Sequence, residues 1–112
     1  MTQPRIVVTG FGMASALGWS ADEAWAAIEA GRTGLRPLTL FPSPRCGHVL
    51  VGEVQGDCAQ RSGLRSGSRS DRLAVTAARA AFEHAGLASL SKDGRDGIGV
   101  VLGACTGGTA IL

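Results

Sequence analysis

The chain has 112 residues, room for one small domain at most, and 45% are hydrophobic, enough for a core and against wholesale disorder. Eleven basic against nine acidic residues leave a net charge of +2, too weak to argue for nucleic acid. Three cysteines without a C-x-x-C pair argue against a disulfide framework and fit a reducing cytoplasm; no signal peptide or apolar run of membrane-spanning length is visible.

Arg5-Ile6-Val7-Val8-Thr9 reads as a strand, β-branched and closed by Gly10. Its near-continuous apolar character suits a strand buried on both faces of a parallel sheet. After a turn-rich segment, Ser20-Ala21-Asp22-Glu23 reads as a capping box, in which Ser20 and Glu23 exchange side-chain and amide hydrogen bonds. Ala21, Ala24, Trp25 and Ile28 then share one helical face, and Gly31 supplies a left-handed stop. Trp25 is expected to pack in the core, and Trp19 to act as a staple ahead of the Ser20 cap.

Residues 32–47, with Gly34, Pro37, Pro42, Pro44 and Gly47, read as irregular, and His48–Val54 as an extended segment. Residues 56–69 carry three glycines and several serines, which predicts a loop or a short helix. A second helix starts near Ser70-Asp71, with Ser68 as a competing cap. Its stripe is Leu73, Ala74, Ala77, Ala78, Ala81, Phe82 and Ala85, and Gly86 ends it. So wide a stripe predicts burial on more than one side. A polar loop over 91–96 leads to Ile98-Gly99-Val100-Val101-Leu102, a second buried strand, and then a glycine turn through Gly107-Gly108. Strand, helices, strand in that order predicts an α/β fold in which a right-handed crossover joins two parallel strands.

The chemistry-bearing residues are few. Gly10-x-Gly12-x-x-Ser15 lacks the third glycine of a dinucleotide fingerprint, and the capped helix starts too late to cradle a pyrophosphate. Cys105, in a glycine-rich turn after a strand, invites a nucleophile reading. Only His48 and His84 could serve as its base, and the expectation is a small, packed, inert residue. Cys46 and Cys58 sit in loops with no better case. His48 and His84 lack metal-ligand spacing, so no metal is expected. Arg32, Arg36, Arg45, Arg61, Arg65, Arg69 and Arg72 stand against Glu53, Asp57 and Asp71. They form either a solvated surface or a docking patch for an acidic partner. Asp71-Arg72 could be an exposed ion pair or a tie between helix and loop.

Four stretches in order carry a family resemblance. They are Arg5 to Met13 with Ala16-Leu17-Gly18; Trp25 through Ala30-Gly31-Arg32-Thr33-Gly34-Leu35-Arg36-Pro37; Ser70-Asp71-Arg72-Leu73-Ala74 with Glu83-His84-Ala85-Gly86-Leu87; and Ile98 to Gly103 with Gly107-Gly108. Together they resemble the N-terminal part of the β-ketoacyl-acyl carrier protein synthases, of thiolase-like fold. Ala16 stands where many members have Pro.

The resemblance implies that residues 1–112 are part of a synthase N-terminal domain, with two parallel core strands, intervening helices and an incomplete sheet. It implies an acyltransferase reaction: decarboxylative Claisen condensation of an acyl thioester with malonyl-acyl carrier protein, in fatty acid or polyketide synthesis. The family's nucleophilic Cys and two catalytic His belong to motifs beyond Leu112, so no catalytic, cofactor-binding or metal-binding residue carries over, and the chain is expected to be inactive alone. No diffusible cofactor is implied. The implied partners are acyl carrier protein and, for the complete protein, a second copy or a heterodimeric ketosynthase subunit, with no nucleic acid and no membrane. The alternative is a non-catalytic, chain-length-factor type partner of the same fold; an unrelated nucleotide-binding module is the third reading.

Overall fold

The computed structural model describes residues 2–105. The Gly107-Gly108 turn and the segment after it lie outside the described residues. In chain order the elements are α1 (Ala21–Glu29), β1 (Leu35–Pro37), β2 (Leu50–Gly52), α2 (Cys58–Ser62), α3 (Arg69–His84) and α4 (Lys92–Asp96). The result is a small α/β assembly.

Helix α1 starts where the sequence predicts. Ser20 is extended, and its Oγ accepts from the Glu23 amide at 3.1 Å. The reciprocal half of the box is displaced by one residue: Glu23 Oε2 accepts from the Trp19 amide at 2.7 Å instead of from Ser20. Gly31, at φ +64, turns the chain out of the helix. The inward face is Ala24 and Ala27, both buried, whereas Trp25 is 61% exposed. The expected core role of Trp25 is therefore not met among the described residues, because α1 presents its alanines and not its bulky residues to the rest of the chain.

The segment read as extended, His48–Val54, supplies β2, and the stretch read as irregular supplies its partner β1. β1 and β2 pair antiparallel, with Leu35 opposite Gly52, Arg36 opposite Val51 and Pro37 opposite Leu50. Pro37 ends its strand at an edge, where a missing amide is tolerated. The Ser15–Gly18 turn leans on this hairpin: a Cβ on Gly34 would meet Ala16 Cβ at 2.8 Å.

The two parallel core strands, expected at 5–9 and 98–102, are not formed among the described residues, and neither run joins a sheet. The reason is physical. A strand exists only by sharing a ladder with a neighbour, and an all-apolar strand also needs layers on both faces. Neither run has these here. Ile6, Val7 and Val8 are 96%, 65% and 85% exposed, and Val100, Val101 and Leu102 are 73%, 97% and 81% exposed.

The interval 56–69 resolves into a loop and α2. Asp57 caps α2 by accepting from Ala59 N at 2.7 Å and Gln60 N at 3.0 Å, and Gly63, at φ +65, ends it. Helix α3 takes the earlier of its two candidate caps. Ser68 Oγ accepts from Asp71 N, and the Asp71 carboxylate accepts from Ser68 N at 2.7 Å, a complete capping box. Asp71 therefore serves the cap, and the Asp71-Arg72 pair is not its role. The polar loop at 91–96 closes into α4, capped by Ser91.

Helices α2 and α3 pack on each other, and the opening segment lies along α3. The buried apolar set among the described residues is small: Ala24, Ala27 and Cys58. Polar ties, more than apolar burial, hold the pieces together.

Candidate functional site

Among the described residues, three polar ties and two hollows are candidate places for chemistry. The first tie joins the turn before α1 to α2. Trp19 Nε1 donates to Gln55 O at 2.7 Å, and the Arg61 guanidinium lies 4.7 Å from the Trp19 ring centroid. Trp19 thus bridges two segments, a larger role than the expected staple.

The second tie encloses a charge. Glu53 is buried, and its carboxylate accepts from Thr39 N at 2.9 Å and Thr39 Oγ1 at 2.7 Å. The Thr39 amide, then its hydroxyl, hold the Glu53 carboxyl below its ordinary value of 4.5; desolvation opposes them, and Arg69 assists. Arg69 itself donates to Val54 O.

The third tie runs between α2 and α3. The Gln60 and Ala59 amides lower the Asp57 carboxyl below 3.8, with a smaller contribution from Arg72. Arg79 donates to Ser62 O at 2.5 Å, and Ser62 is fully buried. The Arg72 Nε lies buried without a hydrogen-bond partner. The Asp71 carboxyl is also lowered, by the Ser68 amide and then the Ser68 hydroxyl.

These ties divide the arginine stretch. Arg69 and Arg72 are half-buried against other parts of the chain; Arg61, though exposed, lies over the Trp19 ring; Arg32, Arg36, Arg45 and Arg65 are exposed. The sequence presents seven arginines as one patch; the structure leaves four of them to meet a partner.

The cysteines are not brought to a base. Cys58 is buried, with Sγ 3.9 Å from Gly56 O. Cys46 and Cys105 are exposed, so the expected packing of Cys105 is corrected: the run before it has no sheet to carry it into a core. Among the described residues no hydrogen bond joins a thiol to His48 or His84. His84 is engaged elsewhere, with Nδ1 3.2 Å from Phe11 N and its ring edge-on to Phe11 at 4.7 Å between centroids. Among the described residues no group of three or more His, Cys, Asp or Glu could hold a metal, and no helix is long and apolar enough to cross a membrane.

The two hollows flank α3. A cleft of about 220 Å³ lies between the opening segment, the start of α1 and α3, lined by Phe11, Met13, Ser20, Asp22 and His84. An open groove of about 460 Å³ runs along another face of α3, floored by Val75, Ala78, Phe82 and Leu87. The wide apolar stripe of α3 is thus divided. Ala77, Ala81 and Ala85 take the opening segment, and the Phe82 face borders this groove.

Residues 3–111 match the family described as Beta-ketoacyl synthase, N-terminal domain. The chain is 32% identical over 112 residues to 3-oxoacyl-[acyl-carrier-protein] synthase 2 of Coxiella burnetii, covering 96% of this chain and 27% of that protein. It is 29% identical to the protein of the same name from Vibrio cholerae, with 100% and 28% covered. It is 32% identical to the tetracenomycin polyketide synthase ketoacyl synthase alpha subunit of Streptomyces glaucescens, with 98% and 26% covered. The chain therefore spans about a quarter of the length of these relatives. No solved structure matches it.

Proposed function

The chain belongs to the β-ketoacyl synthase family, and from that premise we propose that it supplies the opening scaffold of a condensing enzyme and none of its catalytic groups. The observation that carries this reading is the family match from residue 3 to residue 111, end to end across all four stretches quoted above. The absence of a thiol–imidazole pair among the described residues supports it, because acyl transfer through Cys requires a base or a strongly electropositive surrounding to raise the thiolate fraction.

In this reading the runs 5–9 and 98–102 are core strands of a thiolase-like parallel sheet, with neighbours on the part of the relatives' length that this chain does not span. Two features support it. Both runs are apolar on successive residues, as double-faced burial demands, and both stand exposed here. Fully burying each Val, Ile or Leu would contribute about 1.5–3 kcal/mol. The assembled enzyme condenses an acyl thioester with a malonyl thioester on a carrier protein. It works as a homodimer or as a heterodimer with a ketosynthase-like subunit. The carrier is acidic and approaches Arg32, Arg36, Arg45 and Arg65, four exposed arginines of that stretch. Relatives named as acyl-carrier-protein synthases support the carrier as a partner.

The test is a chimera in which this chain replaces the matching stretch of the Coxiella burnetii relative. Condensation product is expected from the chimera and not from this chain alone. A folded chimera without product, or acylation of Cys46, Cys58 or Cys105 above the background of a simple thiol, would count against the proposal.

A further inference from the structure

The opening segment meets α3 with no clearance. A Cβ on Gly10 would lie 2.6 Å from both Ala81 O and Ala85 N. One on Gly12 would run into Ala77 O and lie 2.6 Å from Ala81 N. Two residues forward on the segment correspond to four residues back on the helix. The spacings agree: two extended residues span about 6.7 Å and four helical residues about 6 Å. The segment therefore runs antiparallel to α3, with each glycine in a notch of the alanine stripe.

This fit excludes other registers. A shift of one residue would put the Cβ of Phe11 where neither notch accepts one. A shift of two would put Val8 or Ala14 into a notch. But glycines only permit close approach; they bury little apolar area and hold nothing by themselves. The attraction has to come from elsewhere, and it is supplied between the two glycines. The Phe11 amide points at His84 Nδ1 over 3.2 Å, and the two rings meet edge to face at 4.7 Å.

We infer that His84 is a positioning residue: its Nδ1 accepts the Phe11 amide proton and locks the Gly10–Gly12 segment in one register on α3. The direction of a peptide N–H is fixed by the peptide plane, so this contact keeps Nδ1 unprotonated and leaves the ring proton on Nε2. The Phe11 carbonyl oxygen also lies 3.2 Å from Nδ1, so the opposite tautomer would donate to it, and the two arrangements are separable by experiment. The lock sets the point at which Ile6–Val8 leaves α3. That consequence rests on the proposed function, whereas the lock itself does not.

The test uses the whole 112-residue chain. Nitrogen NMR at about pH 8 should show His84 with the proton on Nε2. Exchange of the Phe11 amide should be slowed by about tenfold or more against an unstructured peptide. His84→Asn, whose Oδ1 can take the place of Nδ1, should keep most of this protection. His84→Phe, which keeps a ring and loses the acceptor, should abolish it while the amides of Ala77 and Ala81 stay protected. A proton on Nδ1, an unprotected Phe11 amide in the unmutated chain, or equal behaviour of the Asn and Phe variants overturns the inference. If a variant also loses α3, the tautomer and the Phe11 exchange of the unmutated chain decide alone. Failure of the sheet proposal would show instead at the amides of Ile6–Val8 in the chimera, with Phe11 unaffected.

Discussion

Thr39 satisfies both oxygens of Glu53: its amide donates to one and its hydroxyl to the other, across fourteen positions of sequence. Thr39 follows Pro37 at one end of the β1–β2 ladder and Glu53 follows Gly52 at the other, so the pair ties the two ends of the hairpin together. A buried carboxylate tolerates such a place only when its acceptor capacity is used, and Thr39 provides the donors.

Acid should therefore loosen this chain in a defined window. Glu53, Asp57 and Asp71 all have carboxyls held below their ordinary values of 4.5, 3.8 and 3.8. A lowered carboxyl contributes stability that is complete above its unfolded value and is lost as pH falls through its folded value. Stability should be flat from neutral pH down to about 5 and then decline. Thermal melts or amide exchange at stepped pH would measure this. Glu53→Gln should flatten part of the decline, and an identical acid profile for wild type and variant would refute its role.

The start of α3 offers a sharper mutational contrast. Ser68→Ala removes the acceptor for Asp71 N and should cost about 1 kcal/mol of helix stability. Ser70→Ala, two residues later and inside the helix, should cost almost nothing. Circular dichroism in a urea titration would compare them. Equal losses would mean that the box at Ser68 is not the working cap.

Local features of this kind were legible in the sequence. Ser20, Ser68 and Gly31 act through residues three or four positions away, so spacing alone reveals them. The short helix α2 was legible only as one of two options, because five residues between Asp57 and Gly63 are too few to show a helical periodicity. Long-range ties were not legible. Glu53 reads as one more surface carboxylate until Thr39 is placed beside it, and His84 reads as helix packing until Phe11, 73 positions earlier, comes near. The arginine stretch misled for the same reason, since sequence order does not say which guanidinium faces Trp19 or a carbonyl. The runs 5–9 and 98–102 misled differently: composition gives strand character, but a ladder needs a neighbour, and composition cannot supply one.

The Trp19–Arg61 contact predicts a charge-dependent signal. Arg61→Ala should alter Trp19 fluorescence and cost about 0.5–1 kcal/mol, and Arg61→Lys should restore only part of either. Trp25, exposed on α1, contributes a background that Trp25→Phe removes. Unchanged emission on loss of Arg61 would show that the cation does not sit on the ring in solution.

The exposed runs make the last prediction. Ile6–Val8 and Val100–Leu102 present apolar side chains to water with no layer above them. Such surfaces self-associate or bind apolar dyes, and unpaired backbone beside them adds an edge for other chains. The isolated chain should therefore bind a hydrophobic dye and lose its fold over a broad thermal range. Val7→Lys and Val101→Lys should lower dye binding in this chain, because they place charge where water already reaches. The same substitutions should abolish folding of the chimera with the Coxiella burnetii relative, because the proposed sheet core would bury both positions and leave an unpaired ammonium without a partner. Dye binding and thermal melts on the chain, with soluble yield of the chimera, separate the two effects. A sharp cooperative melt of the unmutated chain, or a chimera indifferent to both lysines, would mean that these runs are surface segments and not strands awaiting a sheet.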